Sequence, residues 1–83
     1  MKKQSAGKTL KRELALVRVL ASGDRQDDAL NLIGKCSGRL LELEAGHFTA
    51  EVAGDPDRLT ILIERLSALG QVTSRRSGAL ALD

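Results

Sequence analysis

The first regular stretch of the chain, residues 13–20, is apolar at nearly every position. The two sides of this stretch are Leu14, Leu16, Arg18 and Leu20 against Ala15, Val17 and Val19. A strand that is apolar on both faces is usually a central strand covered on both sides. We therefore predict a central strand, which the turn-forming sequence Ser22-Gly23-Asp24 brings to an end.

The next stretch has the spacing of a helix. Asp24 is the expected N-cap, and two further aspartates in the first turn complement the helix dipole. Residues on one side form an apolar stripe: Ala29, Leu30, Leu32, Ile33 and Cys36. On this stripe Cys36 is expected to behave as a small hydrophobe, and Gly34 to permit close packing. Ser37-Gly38 predicts the end of the helix.

Two alternating runs, Arg39–Glu44 and residues 47–53, flank the short sequence Ala45-Gly46. Alternation around a short glycine-containing turn predicts a β-hairpin. In the first run Leu41 and Leu43 are expected to share one face.

The clearest local signal is the start of a second helix. Asp55 is a good N-cap, and Pro56 suits the first helical position. The apolar residues that follow at helical spacing are Leu59, Leu62, Ile63, Leu66 and Leu69. Gly70 predicts the end of this helix. Gln71–Arg76 is then a strand candidate, and residues 79–82 either continue it beyond a bulge or pair with another chain.

The predicted order is strand, helix, strand, strand, helix, strand. It favours an α+β fold of ferredoxin-like βαββαβ type, an antiparallel sheet with both helices on one face. The other face of the sheet is then open and carries leucines of the first strand. An exposed apolar patch usually marks an interface, so a homodimer is expected. Residues 1–11 are interpreted as a flexible basic lead-in and residues 12–83 as the domain.

Composition excludes several function classes. The 83 residues carry a net charge of +2 and a single aromatic residue, Phe48. Neither feature suits nucleic-acid binding, which uses basic surfaces and stacking aromatics. No apolar run is long enough to span a bilayer, so no membrane association is expected. A single cysteine is compatible with a reducing compartment, and the expected location is cytoplasmic.

Candidate chemistry is sparse. Gly7-Lys8-Thr9 resembles the end of a phosphate-binding loop, but the earlier glycine of that motif is replaced by Lys2. Cys36 and His47 are too few for a closed zinc site. Three glutamates near the hairpin are expected to be solvated or to pair with arginines. These residues favour a protein that is not an enzyme and binds no cofactor or metal.

The ordered motifs resemble the C-terminal domain of acetolactate (acetohydroxyacid) synthase small subunits. The matching stretches are RELALVRV at 12–19, GRLLEL at 38–43, FTAEVAG at 48–54, the helix at 55–70 and SGALAL at 77–82. The resemblance implies an ACT-like βαββαβ domain. The sequence departs from the family pattern in two places. The usual Phe-Arg before the second strand is replaced by Cys36-Ser37-Gly38, and the basic residue after the closing Ala-Leu is Asp83 here. A divergent stand-alone relative or an excised domain is therefore expected.

The resemblance also implies a function. In that family the small subunit is not catalytic. It activates the thiamine-diphosphate-dependent catalytic subunit of branched-chain amino acid biosynthesis and confers feedback inhibition. The effector site lies in an N-terminal ACT domain outside these 83 residues, so no effector residue carries over. The expected contacts with the catalytic subunit, chosen from motif position and surface charge, are Arg12, Glu13, Arg75 and Arg76.

An alternative is a stand-alone ACT-like dimeric module that binds a branched-chain amino acid. Its effector loop would comprise Ser22, Gly23 and Asp24, between the first strand and helix.

Overall fold

The computed structural model describes residues 10–82, which form two helices and a five-stranded antiparallel sheet. In chain order the elements are β1 (Leu10–Leu20), α1 (Asp24–Lys35), β2 (Arg39–Glu44), β3 (His47–Gly54), α2 (Pro56–Ser67), β4 (Gln71–Arg76) and β5 (Leu80–Leu82). This arrangement confirms the predicted ferredoxin-like fold. Strand β1 begins three residues earlier than predicted, so Leu10 and Lys11 belong to the sheet rather than to a lead-in. Residues 1–9, including Gly7-Lys8-Thr9, and Asp83 lie outside the described residues.

The sheet has the order β2-β3-β1-β4, and β5 pairs with the first residues of β1. The last segment therefore continues along the same edge of β1 after an interruption, which was one of the two predicted outcomes. Between β4 and β5, Ser77 takes the place of a regularly paired strand residue opposite Leu14. Its backbone N–H donates to the Leu14 carbonyl at 2.9 Å, and its hydroxyl accepts from the Leu14 N–H at 3.0 Å.

One face of the sheet forms the core with the two helices. Odd-numbered residues of β1 lie directly opposite core residues of β3, for example Val17 opposite Ala50 and Val19 opposite Phe48. The helices contribute five buried side chains to the same cluster: Ala29, Ile33, Leu59, Leu62 and Leu66. Both helices therefore cover one face, as predicted, and the only aromatic residue lies fully buried beneath them.

The ends of α1 differ from the prediction. Gly23, with φ 61°, is the N-cap without a side-chain cap, and Asp24 is the first helical residue. At the other end Ser37 has φ 57°, and the Gly38 N–H donates to the Ile33 carbonyl at 2.8 Å. This is a Schellman-type end. Because the helix stops at Lys35, Cys36 lies beyond it and is exposed, so the prediction that Cys36 belongs to the apolar helix stripe was wrong.

The register of β2 also differs from the prediction. A bulge between Leu40 and Glu42 shifts the pairing, so that Leu40 and Leu43 lie opposite the core residues Ala50 and Phe48. The prediction that Leu41 and Leu43 share one face did not allow for this extra residue. All six residues of this edge strand are exposed.

Helix α2 begins as predicted. The Asp55 carboxylate accepts from the Asp57 backbone N–H at 2.9 Å, and Pro56 occupies the first helical position. The helix ends at Ser67, and the chain returns to the sheet through Gly70. A Cβ at position 70 would lie 2.1 Å from the Leu20 carbonyl oxygen, so only glycine fits this crossing. The crossing brings β4 alongside β1.

Candidate partner-binding site

The open face of the sheet carries a row of leucines on its central strand. Leu14, Leu16 and Leu20 are 39%, 43% and 46% exposed, whereas the intervening odd-numbered residues are buried. The strand alternates, so the side chains that do not enter the core lie on the face without helices. These three residues form a leucine row along the centre of that face.

Polar groups border the leucine row. Arg18 lies 3.8 Å from the Glu42 carboxylate and donates to the Thr49 hydroxyl at 3.3 Å. The Thr49 hydroxyl in turn donates to Glu42 at 3.2 Å. On the opposite side Arg75 lies directly opposite Leu16 in the β1–β4 register. Together with Leu16 and Arg18, Arg75 borders a shallow depression of about 240 Å³. An apolar centre with a charged border is the usual composition of a protein interface.

The first and last described strands extend the apolar surface beyond the body of the domain. Leu10 lies opposite Leu82, and Arg12 opposite Leu80, in a two-stranded arm. The three leucines of this arm are 60–79% exposed. Arg12, one of the predicted contact residues, therefore lies within an exposed apolar arm.

Glu13 and Arg76, two further predicted contacts, bind each other. The Arg76 Nε and Nη2 donate to Glu13 Oε1 at 3.0 Å and 2.5 Å. Glu13 Oε2 accepts from the Gly78 backbone N–H at 3.0 Å. Arg76 also donates to the Thr60 hydroxyl and the Pro56 carbonyl, both at 2.8 Å. This Glu13–Arg76 junction joins β1, the β4–β5 connection and the start of α2, so both residues have an internal structural role.

The junction determines the ionisation of Glu13. Hydrogen bonds from Arg76 are the main cause that lowers the pKa of this carboxyl below its ordinary value. Burial opposes them, and the Gly78 N–H hydrogen bond adds a smaller lowering effect. The Glu13 side chain is only 7% exposed. A carboxylate with both oxygens engaged by donors is held ionised as a structural anion.

The position of Glu13 in the alternation of β1 could have predicted the Glu13–Arg76 junction, whereas its charge alone could not. Glu13 shares the odd-numbered phase of β1 with Ala15, Val17 and Val19, the buried side. A charge on the buried side of a strand requires a partner of opposite charge. Its partner could not be chosen from the sequence, because Arg75 and Arg76 differ only in the face on which they lie.

The predicted effector loop lies between β1 and α1. Ser22, Gly23 and Asp24 are all exposed, and the Gly23 carbonyl accepts from the Gln26 and Asp27 N–H groups at 3.1 Å and 3.3 Å. These contacts begin α1. Binding of an amino acid at this loop stays a prediction.

The remaining candidate residues lie apart. His47 pairs with Glu44 at 3.9 Å beside the hairpin turn, and Cys36 is exposed at the end of α1. Within residues 10–82 there is no group of three or more histidine, cysteine or acidic side chains that could hold a metal. Neither helix in this range is long and apolar enough to cross a membrane.

Comparisons with known proteins place these features in a family. The family model described as the small subunit of acetolactate synthase matches residues 12–83. An acetolactate synthase small subunit of Aquifex aeolicus is 31% identical over 74 residues, covering 88% of this chain and 38% of the relative. A probable acetolactate synthase small subunit of Archaeoglobus fulgidus is 27% identical over 74 residues, covering 89% of this chain and 46% of the relative.

A solved structure has the same fold. The acetolactate synthase small subunit of Thermotoga maritima matches with a TM-score of 0.77 and 20% identity, covering 93% of this chain and 47% of that one. The chain thus spans less than half the length of these relatives. Since the family match covers nearly all of the sequence, this chain belongs to the family of acetolactate synthase small subunits.

Proposed function

We propose that this chain is a non-catalytic regulatory domain that docks onto an acetolactate synthase catalytic subunit through the open face of its sheet. The observation that carries the proposal is the row of exposed leucines on β1, which continues into the two-stranded arm. Membership of the small-subunit family supports a catalytic subunit as the partner.

The energetics indicate how large the contact must be. Burying the exposed half of a leucine side chain contributes roughly 1 kcal/mol, so Leu14, Leu16 and Leu20 together contribute about 3 kcal/mol. Association costs at least about 4 kcal/mol in lost translational and rotational freedom. The central leucine row is therefore too small by itself. The three more exposed leucines of the arm, Leu10, Leu80 and Leu82, roughly double the apolar contribution and belong to the proposed interface.

The predicted contact residues divide into two groups under this proposal. Arg75 and Arg12 are contacts, because Arg75 lies beside Leu16 on the open face and Arg12 lies opposite Leu80 in the arm. Glu13 and Arg76 fix the arm to the body of the domain. They act on docking by positioning the arm.

The direct test is acetolactate formation by the catalytic subunit of the same organism, measured with and without the 83-residue chain. We expect the chain to stimulate the reaction. Leu16→Arg places a charge at the centre of the leucine row and should abolish stimulation. Added valine tests the separate prediction of an effector loop, because valine-dependent inhibition requires an effector site in the assembled complex.

Ile61→Arg is the matched control. Ile61 is 50% exposed, similar to Leu16, but lies on α2 and therefore on the helix side of the domain. This variant should stimulate as the wild-type chain does. Docking through the helices would reverse the result, with Ile61→Arg inactive and Leu16→Arg active. Failure of the folded wild-type chain to bind or stimulate the catalytic subunit would overturn the proposed function itself.

A further inference from the structure

A second feature lies on a different part of the molecule, at the end of the sheet. An open cavity of about 500 Å³ is lined by the last turn of α1, the end of β3, the start of α2 and Arg12 of β1. Its volume is in the range of small-molecule sites. Leu59 and the end of β3 supply apolar contacts, and the polar lining includes Arg12, Lys35 and Arg58.

The charges of this cationic cavity are unbalanced. Three cationic side chains line it against one carboxylate, that of Asp55. The Asp55 carboxylate is already engaged, since it accepts from the Asp57 N–H at 2.9 Å as the cap of α2. The ion pairs formed among residues 10–82 involve Arg18, Arg39 and Arg76 as cations, and His47 lies near Glu44. The cavity's three cations take no part in them.

The helix ends beside the cavity do not cancel this positive charge. The C-terminal end of α1 carries partial negative charge, which hydrogen bonds to three of its last four carbonyls reduce. The Ile33 carbonyl accepts from the Gly38 N–H, and the Gly34 carbonyl accepts from the Ser37 N–H. The start of α2 contributes the positive end of its dipole from the other side. Fixed dipoles and side chains thus favour a negatively charged occupant.

We propose that the cationic cavity binds a small organic anion that carries at least two negative charges on phosphate or carboxylate groups. Arginine guanidinium groups bind both kinds of oxyanion in a bidentate manner, and Lys35 adds a compact positive charge. Leu59 and Val52 lie where the carbon frame of such a ligand would contact the wall. Lys35 and Arg58 lie on the helices, away from the leucine row, whereas Arg12 is also a proposed docking contact. Arg58→Gln therefore tests the cavity separately from the docking of a catalytic subunit.

The test is a titration of the ¹⁵N-labelled 83-residue chain, followed by NMR amide shifts. The probes are inorganic phosphate and citrate, each compared with sodium chloride at equal ionic strength. We expect saturable shifts confined to the amides of residues 12, 35–37 and 52–59. Tighter binding of phosphate identifies a phosphate ester as the ligand class, and tighter binding of citrate identifies a polycarboxylate.

Substitutions assign the binding to the cavity. Arg58→Gln and Arg12→Gln each remove one cation. Each should weaken the affinity for the more tightly bound of the two anions about tenfold, as the loss of one charge-assisted hydrogen bond does. Arg25→Gln, on the first turn of α1 and outside the cavity, makes the same change in net charge and should leave affinity unchanged. The amide spectrum of each variant reports whether it is folded.

The single cysteine gives a second measurement. Cys36 lines the cavity and is exposed, so a bound anion should slow its alkylation by neutral iodoacetamide. The proposal is overturned if sodium chloride reproduces the shifts, if Arg25→Gln weakens binding as much as Arg58→Gln, or if saturating probe leaves the alkylation rate unchanged. None of these measurements requires the catalytic subunit, so their failure would leave the docking proposal unaffected.

Discussion

Glu13 lies on the buried side of β1, where its neighbours in the same phase are alanine and valine. Its pKa is lowered in the folded chain, so the unfolded chain binds a proton at higher pH. The stabilisation is complete above the ordinary carboxyl pKa of about 4.3 and is lost as the pH falls through the lowered value. We expect the free energy of unfolding to decrease from about pH 5 downward. Urea denaturation followed by circular dichroism measures this loss.

Glu13→Gln tests the origin of that pH dependence. The variant should be less stable than the wild-type chain at pH 7, because Arg76 loses its counter-ion, and the difference should shrink as the pH falls. Glu42→Gln is the control, since Glu42 is 58% exposed and contacts only the surface groups of Arg18 and Thr49 among the described residues. An unchanged pH dependence in Glu13→Gln would show that other carboxyls determine the acid stability.

Two glycines that look equivalent in the sequence differ in their surroundings. A Cβ at Gly70 would meet the Leu20 carbonyl at 2.1 Å, whereas a Cβ at Gly54 would meet nothing within 4 Å. We therefore expect Gly70→Ala to lower the free energy of unfolding by about 2 kcal/mol or more, as overpacking against backbone does. Gly54→Ala should stay within about 0.5 kcal/mol of wild type. Thermal unfolding of both variants measures the two changes in stability. Equal changes would contradict the close approach of Gly70 to the Leu20 carbonyl.

At the scale of the element, Gly34 in α1 offers a stabilising substitution. The sequence suggested close packing at this residue, but an added Cβ would lie in open space. Gly34→Ala should therefore raise the free energy of unfolding by up to about 1 kcal/mol, the difference in helix propensity. Gly38→Ala is the contrast, because its Cβ would lie 2.6 Å from the Ile33 side chain and should destabilise the chain. Loss of stability in Gly34→Ala would indicate a contact at that helix face.

Elements could be predicted where a local rule determines them. Asp55 and Pro56 predict the start of α2, and the spacing of the leucines that follow predicts its buried side. Predictions failed where tertiary pairing overrides the local pattern. The bulge in β2 changes which leucine accompanies Leu43, and no residue there signals an extra position. Similarly, Cys36 fits the helical stripe, but the backbone turns at Ser37 before the stripe can continue.

The candidate site shows the same division. Alternation along β1 was sufficient to place leucines on an open face, because a period of two assigns every residue to one side. The cationic cavity was not foreseen, since Arg12, Lys35 and Arg58 come from three elements. Only the packing of α1 and α2 on the sheet brings them together. Sites within one strand follow from the sequence, and sites between elements require the fold.

At the scale of the whole molecule, the open face affects the chain even without a catalytic subunit. A small domain with an exposed apolar face gains stability by covering it, so we expect a concentration-dependent homodimer. Sedimentation equilibrium of the 83-residue chain should show a dimer that Leu16→Arg converts to a monomer. Ile61→Arg on the helix side should remain dimeric. Because leucines dominate the contact, dimerisation should respond weakly to salt. A monomer at all accessible concentrations would mean that this face is reserved for the catalytic subunit, whereas a dimer sensitive only to Ile61→Arg would place self-association on the helices.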